Sequence, residues 1–160
     1  MACGSAWHVG MTAQYVIEDM AGIPVRVEVA SEFRYRKPLL DKNGLVIIIS
    51  QSGETADSLA ALREAKEKGV RTLAVVNVVG SSIAREADHV FYTLAGPEIS
   101  VATTKAYSTQ LMASYILAIQ FAFAKKHITE EQYKDYIQEL ETIPGKIKRI
   151  LEDKERLQWF

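Results

Sequence analysis

Two short oily runs, Leu45–Ile49 and Arg71–Val76, lie one helix-length apart, and no other feature constrains the fold so tightly. Such runs, rich in β-branched residues, read as strands covered on both faces. Between them, Thr55–Lys68 carries Leu59, Leu62 and Ala65 at helical spacing, a charged far side, and Gly69 as a stop. A strand, a helix and a strand in that order make a parallel crossover. The same alternation extends in both directions. Upstream, Ala6–Met20 places Val9, Ala13, Val16, Ile17 and Met20 on one helical face and ends at Gly22 and Pro24. Val25–Ala30 alternates apolar with charged residues, which predicts a half-buried strand, and "SEFRYRKP" follows as a polar connection with room for one helical turn. Downstream come "NVVGSS", a short helical turn through Ala87, a strand over His89–Thr93 and a long apolar helix over Thr103–Lys125. Two charged amphipathic helices, Glu130–Glu141 and Pro144–Phe160, close the chain, with Pro144 at a first helical position. The expected architecture is α/β: a doubly wound parallel sheet flanked by helices, plus extra C-terminal helices.

Composition narrows the function classes. With 48% hydrophobic and 24% charged residues in 160, the chain suits one domain with a real core. A net charge of -1 and no basic face argue against nucleic acid as a partner. The single cysteine, Cys3, forbids an internal disulfide and agrees with a cytoplasmic setting. The oily run Leu111–Ala124 is shorter than the roughly 20 residues that span a bilayer, so no membrane role is expected. His8, His89 and His127 are scattered without ligand spacing, so neither a metal nor another cofactor is expected. "MACGSAWHVG" has no basic leader or cleavage site and reads as a strand end, a glycine turn and a helix start, as if clipped at a domain edge.

In open α/β sheets, ligands sit beyond the carboxyl ends of the strands. That selects the turns at residues 2–6, 50–55, 77–82 and 97–104. The turn "SQSGET" at 50–55 offers the Ser50, Ser52 and Thr55 hydroxyls and the Gln51 amide at the start of a helix. A helix N-terminus presents unpaired N–H groups and partial positive charge, so this turn can hold a phosphate without a cation. It is neither a P-loop nor a dinucleotide fingerprint, because GxxxxGK[ST] and GxGxxG are both absent. The bland alternative stays open: Ser52 caps the helix and Thr55 bonds locally. Glu54 reads as a charge placed at the helix dipole. Glu98 can hydrogen-bond a polyol or simply be solvated, and Thr103 can cap its helix as well as touch a ligand.

The stretches "ACGSA", "AGIPVRVEVASEFRYR", "ISQSGETADSL" and "GPEISVATTKAYSTQL" together resemble the isomerase part of the glucosamine-6-phosphate synthase family, the isomerizing glutamine–fructose-6-phosphate aminotransferases. That part consists of two sugar isomerase (SIS) domains of flavodoxin-like three-layer form, and the likeness falls on the first. It implies a SIS domain over residues 1–128 and helices over 129–160 leading toward a second SIS half. It further implies that Ser50, Gln51, Ser52 and Thr55 hold the phosphate of fructose 6-phosphate or glucosamine 6-phosphate. Ser5, Glu98, Val101 and Thr103 are implied as sugar contacts. The family's first turn often reads CGTS, whereas Ala6 here brings no hydroxyl, and Thr103 stands where serine is common. A glutaminase domain, the second SIS half and a homodimeric partner complete the implied enzyme. The groups credited with ring opening and proton transfer lie in those other parts, so no catalytic residue is expected in this chain. A free-standing phosphosugar sensor is the alternative, but it lacks a helix-turn-helix here.

Overall fold

In a computed structural model, which describes residues 1–99, 103–152 and 154–159, both oily runs are strands. β1 (Leu45–Ser50) pairs in parallel with β2 (Arg71–Val76), Leu45 opposite Arg71. β2 pairs in parallel with β3 (His89–Tyr92). The other edge of β1 meets the first residues of the chain. The Met1 nitrogen donates to the Ile47 carbonyl at 2.7 Å, and the Ile49 N–H donates to the Met1 carbonyl at 3.1 Å. Beyond them, Ala2 forms a parallel bridge with Val29. The spatial order is therefore residues 28–30, residues 1–3, β1, β2, β3. Numbered along the chain this is 2-1-3-4-5, the flavodoxin-like winding, and its switch point lies between residues 1–3 and β1.

Seven helices are described: α1 (Ser5–Ala21), α2 (Ala30–Phe33), α3 (Ala56–Glu67), α4 (Ser82–Glu86), α5 (Thr104–Ala124), α6 (Glu130–Glu152) and α7 (Lys154–Gln158). The period-two alternation of the strands sorts them into layers. Val46, Ile48, Ala74 and Val76 pack with Phe33, Leu62 and Ile83 of α2, α3 and α4. Ile49 and Val75 point the other way, against Val9 of α1 and Ala113 of α5. Farther along, α1 and α5 meet through Ala13, Ile17, Ala21, Ala118 and Ala122, small enough side chains for the two helices to lie close. The three-layer expectation holds.

Two elements differ from the sequence reading. Val25–Ala30 is not a strand, although it alternates as one. Its sheet partner reaches it at Val29 alone, while Val25 is pinned by side chains: Gln14 Nε2 donates to its carbonyl at 2.8 Å and its N–H donates to Glu18 at 2.8 Å. Alternation without a ladder partner does not make a strand. The two expected C-terminal helices are one, α6, with Pro144 inside rather than at a first turn. Pro144 removes the donor to the Leu140 carbonyl. None of the described residues of α6 is buried, so water can reach the carbonyls that lose a donor.

One contact at the surface edge of the sheet sets an acid limb for stability. Asp88 Oδ2 accepts hydrogen bonds from the Thr72 N–H and hydroxyl, both at 2.8 Å, and Oδ1 lies 3.0 Å from Lys66 Nζ. The hydrogen bond from Lys66, then those from Thr72, pull this carboxyl from 3.8 down to about 2. A folded-state value below the unfolded one stabilises above the unfolded pKa and is lost as pH falls through the folded value. Stability should therefore drop between about pH 4 and pH 2, and Asp88→Asn should flatten that slope in urea titrations at successive pH values. An unchanged slope would remove Asp88 from the account.

Candidate functional site

β1 ends at Ser50, and there the chain must leave the sheet and start α3. Ser50 is buried, and its Oγ accepts the Gly53 N–H at 3.0 Å, closing a tight turn. Ser52 Oγ accepts the Glu54 N–H at 3.2 Å. Gly53 sits at φ +66°, in the left-handed region that favours glycine. The neighbouring turn clamps this one. The Asn77 N–H donates to the Gln51 carbonyl at 3.2 Å, and the Ile83 N–H donates to the Gly53 carbonyl at 3.0 Å. Glu54 accepts the Ser82 N–H at 2.7 Å, and its hydrogen bonds from Ser82 lower its pKa. Its charge thus serves the start of α4, not that of α3 as the sequence suggests.

α3 begins without a side-chain cap. Thr55 occupies the N-cap position but makes no capping bond, and its Oγ1 lies 3.5 Å from Ser50 Oγ. None of the described residues accepts a hydrogen bond from the N–H groups of residues 56–58. So Thr55 shares its hydroxyl only with Ser50, over a long contact, and Ser52 bonds locally without capping the helix. An uncapped helix start beside three hydroxyls has the donors that an anion would need.

These groups face a cavity of about 180 Å³ at the switch point of the sheet. Ser50, Gln51, Ser52 and Thr55 line one side, while Ser5 from α1 and Thr103 from the N-cap of α5 line the other. Thr103 makes no side-chain capping bond either. Glu98 is placed elsewhere: its Oε2 accepts the Ala106 N–H at 3.3 Å and so caps the first turn of α5. Val101 lies outside the described residues. Among the lining residues that the sequence reading passed over are Ser58, Tyr107 and Gln110. Spacing could have found them, since Ser58 is three residues beyond Thr55, and Tyr107 and Gln110 are four and seven beyond Thr103.

No Lys, Arg, His, Asp or Glu among the described residues lines this cavity. Its polar groups are therefore neutral donors and acceptors beside the N-terminal dipole of α3. The volume is below the about 300–1,000 Å³ typical of pockets for drug-sized ligands, so it suits one end of a small molecule. A larger groove of about 610 Å³ runs beside the first half of β1, mainly between apolar walls such as Val25, Val27, Leu117 and Phe121. It lacks comparable convergent hydroxyls. Among the described residues no cluster of metal ligands occurs, and no helix is long and apolar enough to cross a membrane.

Known proteins resemble this chain in sequence and in fold. The chain is 58% identical over 155 residues to glutamine–fructose-6-phosphate aminotransferase [isomerizing] of Clostridium tetani, covering 97% of itself and 26% of that protein. It is 55% identical over its whole length to the enzyme of the same name from Caldanaerobacter subterraneus subsp. tengcongensis, again 26% of that protein. The chain thus spans about a quarter of the length of these curated relatives. Among solved structures, the C-terminal domain of glucosamine-fructose-6-phosphate aminotransferase from Francisella tularensis superposes with a TM-score of 0.93 at 43% identity, over 97% of this chain and 44% of that one. Residues 1–120 match the SIS domain family, so the chain, with its parallel sheet and its cavity at the switch point, belongs to that family.

Proposed function

We propose that this chain is the phosphate-binding half of an active site that makes glucosamine 6-phosphate from fructose 6-phosphate and glutamine. One observation carries the reading: the hydroxyl-bearing Ser50, Ser52 and Thr55 line one cavity at the uncapped start of α3. Phosphate is the part of the substrate that such neutral donors and a helix dipole hold. Ser5 and Thr103, across the cavity, meet the sugar hydroxyls. Glu98 holds the first turn of α5 through the Ala106 N–H, and a backbone contact to the sugar is assigned to Val101.

The cavity carries no acid–base pair, so proton transfer between sugar carbons falls to groups outside this chain. In the full-length polypeptide a glutaminase domain supplies ammonia and a second SIS half supplies that chemistry. Residues 1–128 form the first SIS unit, and residues 129–160 lead toward the second. α5 leaves Tyr115 and Phe123 about two-fifths exposed, a surface for a homodimeric neighbour. Calorimetric titration of the 160-residue chain tests the reading. Fructose 6-phosphate is expected to bind and fructose to show no measurable heat; equal responses to the two sugars would overturn a phosphate cradle.

A further inference from the structure

Ser58 lines the cavity with a hydroxyl that is both buried and unspent. It occupies the third position of α3, one helical step behind Thr55 on the same face. The residue is 1% exposed, and its Oγ has no hydrogen-bond partner. A serine inside a helix ordinarily returns its hydroxyl to a carbonyl of the preceding turn. This one does not, and a buried hydroxyl left unpaired is destabilising. Something other than folding therefore accounts for a serine here, where alanine would pack beside Ala61 and Leu62 without that penalty.

We propose that Ser58 is a fourth hydroxyl of the anion cradle, engaged only when the anion is bound. The inference rests on the phosphate reading above and names a residue that reading does not contain. The Oγ is sealed from solvent, yet the residue borders the cavity. A change of χ1 to another staggered position is the movement that would bring the hydroxyl to a bound anion. The hydroxyl then gains a charged acceptor, and the unpaired state ends. Gln110, 3% exposed and reaching the same cavity from α5, gives its deep end a second polar wall.

The test pairs affinity with stability, because the proposal moves them in opposite directions. Ser58→Ala should leave the chain as stable as before or more so in urea denaturation. It should weaken binding of glucosamine 6-phosphate, and of inorganic phosphate as a minimal probe, by about tenfold or more. Ser58→Thr keeps the hydroxyl and should retain most of the affinity. A Ser58→Ala protein that binds both probes like the parent overturns the proposal and leaves the cradle at 50–55 standing. A Ser58→Ala protein that loses stability with affinity unchanged assigns the residue to packing and also overturns it. Failure of the parent chain to bind either probe removes the phosphate reading itself, and the proposal with it.

Discussion

Replacing Gly53 with alanine is expected to lower the unfolding free energy by about 2–5 kcal/mol and to abolish sugar-phosphate binding. Two effects add. At φ +66° a side chain costs about 1–2 kcal/mol. The new Cβ would also stand 2.1 Å from Ser81 Oγ and 2.6 Å from Ser81 Cβ. Such overpacking typically costs about 1–3 kcal/mol. Ser81 has little room to move away, since it is buried and adjoins α4. Gly53 itself is fixed at both ends, its N–H to Ser50 and its carbonyl to Ile83. The strain therefore falls on the turn that shapes the cradle. Urea denaturation measures the loss. Adding Ser81→Gly should restore the steric part and leave the conformational part. A change below about 1 kcal/mol for Gly53→Ala would show that the turn is looser than its hydrogen bonds imply.

Ser52→Ala combined with Thr55→Ala should cost at least about a hundredfold in affinity for glucosamine 6-phosphate. A hydrogen bond to a charged group contributes about 1.5–3 kcal/mol, and both residues address the same anion. Their losses will not sum cleanly, because neighbouring ligands of one group are coupled. Thermal stability should hardly change. Ser52 Oγ serves a single exposed N–H, that of Glu54, and Thr55 Oγ1 has only the 3.5 Å contact with Ser50. Calorimetry and a melting curve on the same preparation separate the two effects. A loss smaller than about threefold would place the anion elsewhere.

How much of this was legible depended on whether the signal was local. β1, β2 and α3 were readable because apolar periodicity and a glycine stop lie within each segment, and the core then followed from strand alternation. The turn at 50–55 was readable for the same reason: an oily run that ends in Ser50, Gln51 and Ser52 before a helix is a local pattern. What failed was relational. Val25, Val27 and Val29 alternate perfectly well, but a strand also needs a neighbour, and Ala2 reaches only Val29. Pro144 looked like a helix start, yet an exposed helix tolerates it in the interior. Glu54 and Glu98 each begin near one helix start, and only the three-dimensional fold shows that Glu54 caps α4 and Glu98 caps α5. Ser58 was hidden for a further reason: a serine in the first turn of a helix is ordinary until its burial and lack of a partner are known.

The phosphate cradle at α3 is the central claim, and amide chemical shifts test it residue by residue. The 160-residue chain, labelled with nitrogen-15, would be titrated with glucosamine 6-phosphate, inorganic phosphate and glucosamine. The account predicts the largest shifts at the N–H groups of residues 52–58 with both phosphate-bearing ligands, because those donors have no acceptor of their own at the start of α3 or lie in the turn that shapes it. Glucosamine should leave them in place. Shifts centred on another part of the surface, or equal shifts with glucosamine, would contradict it.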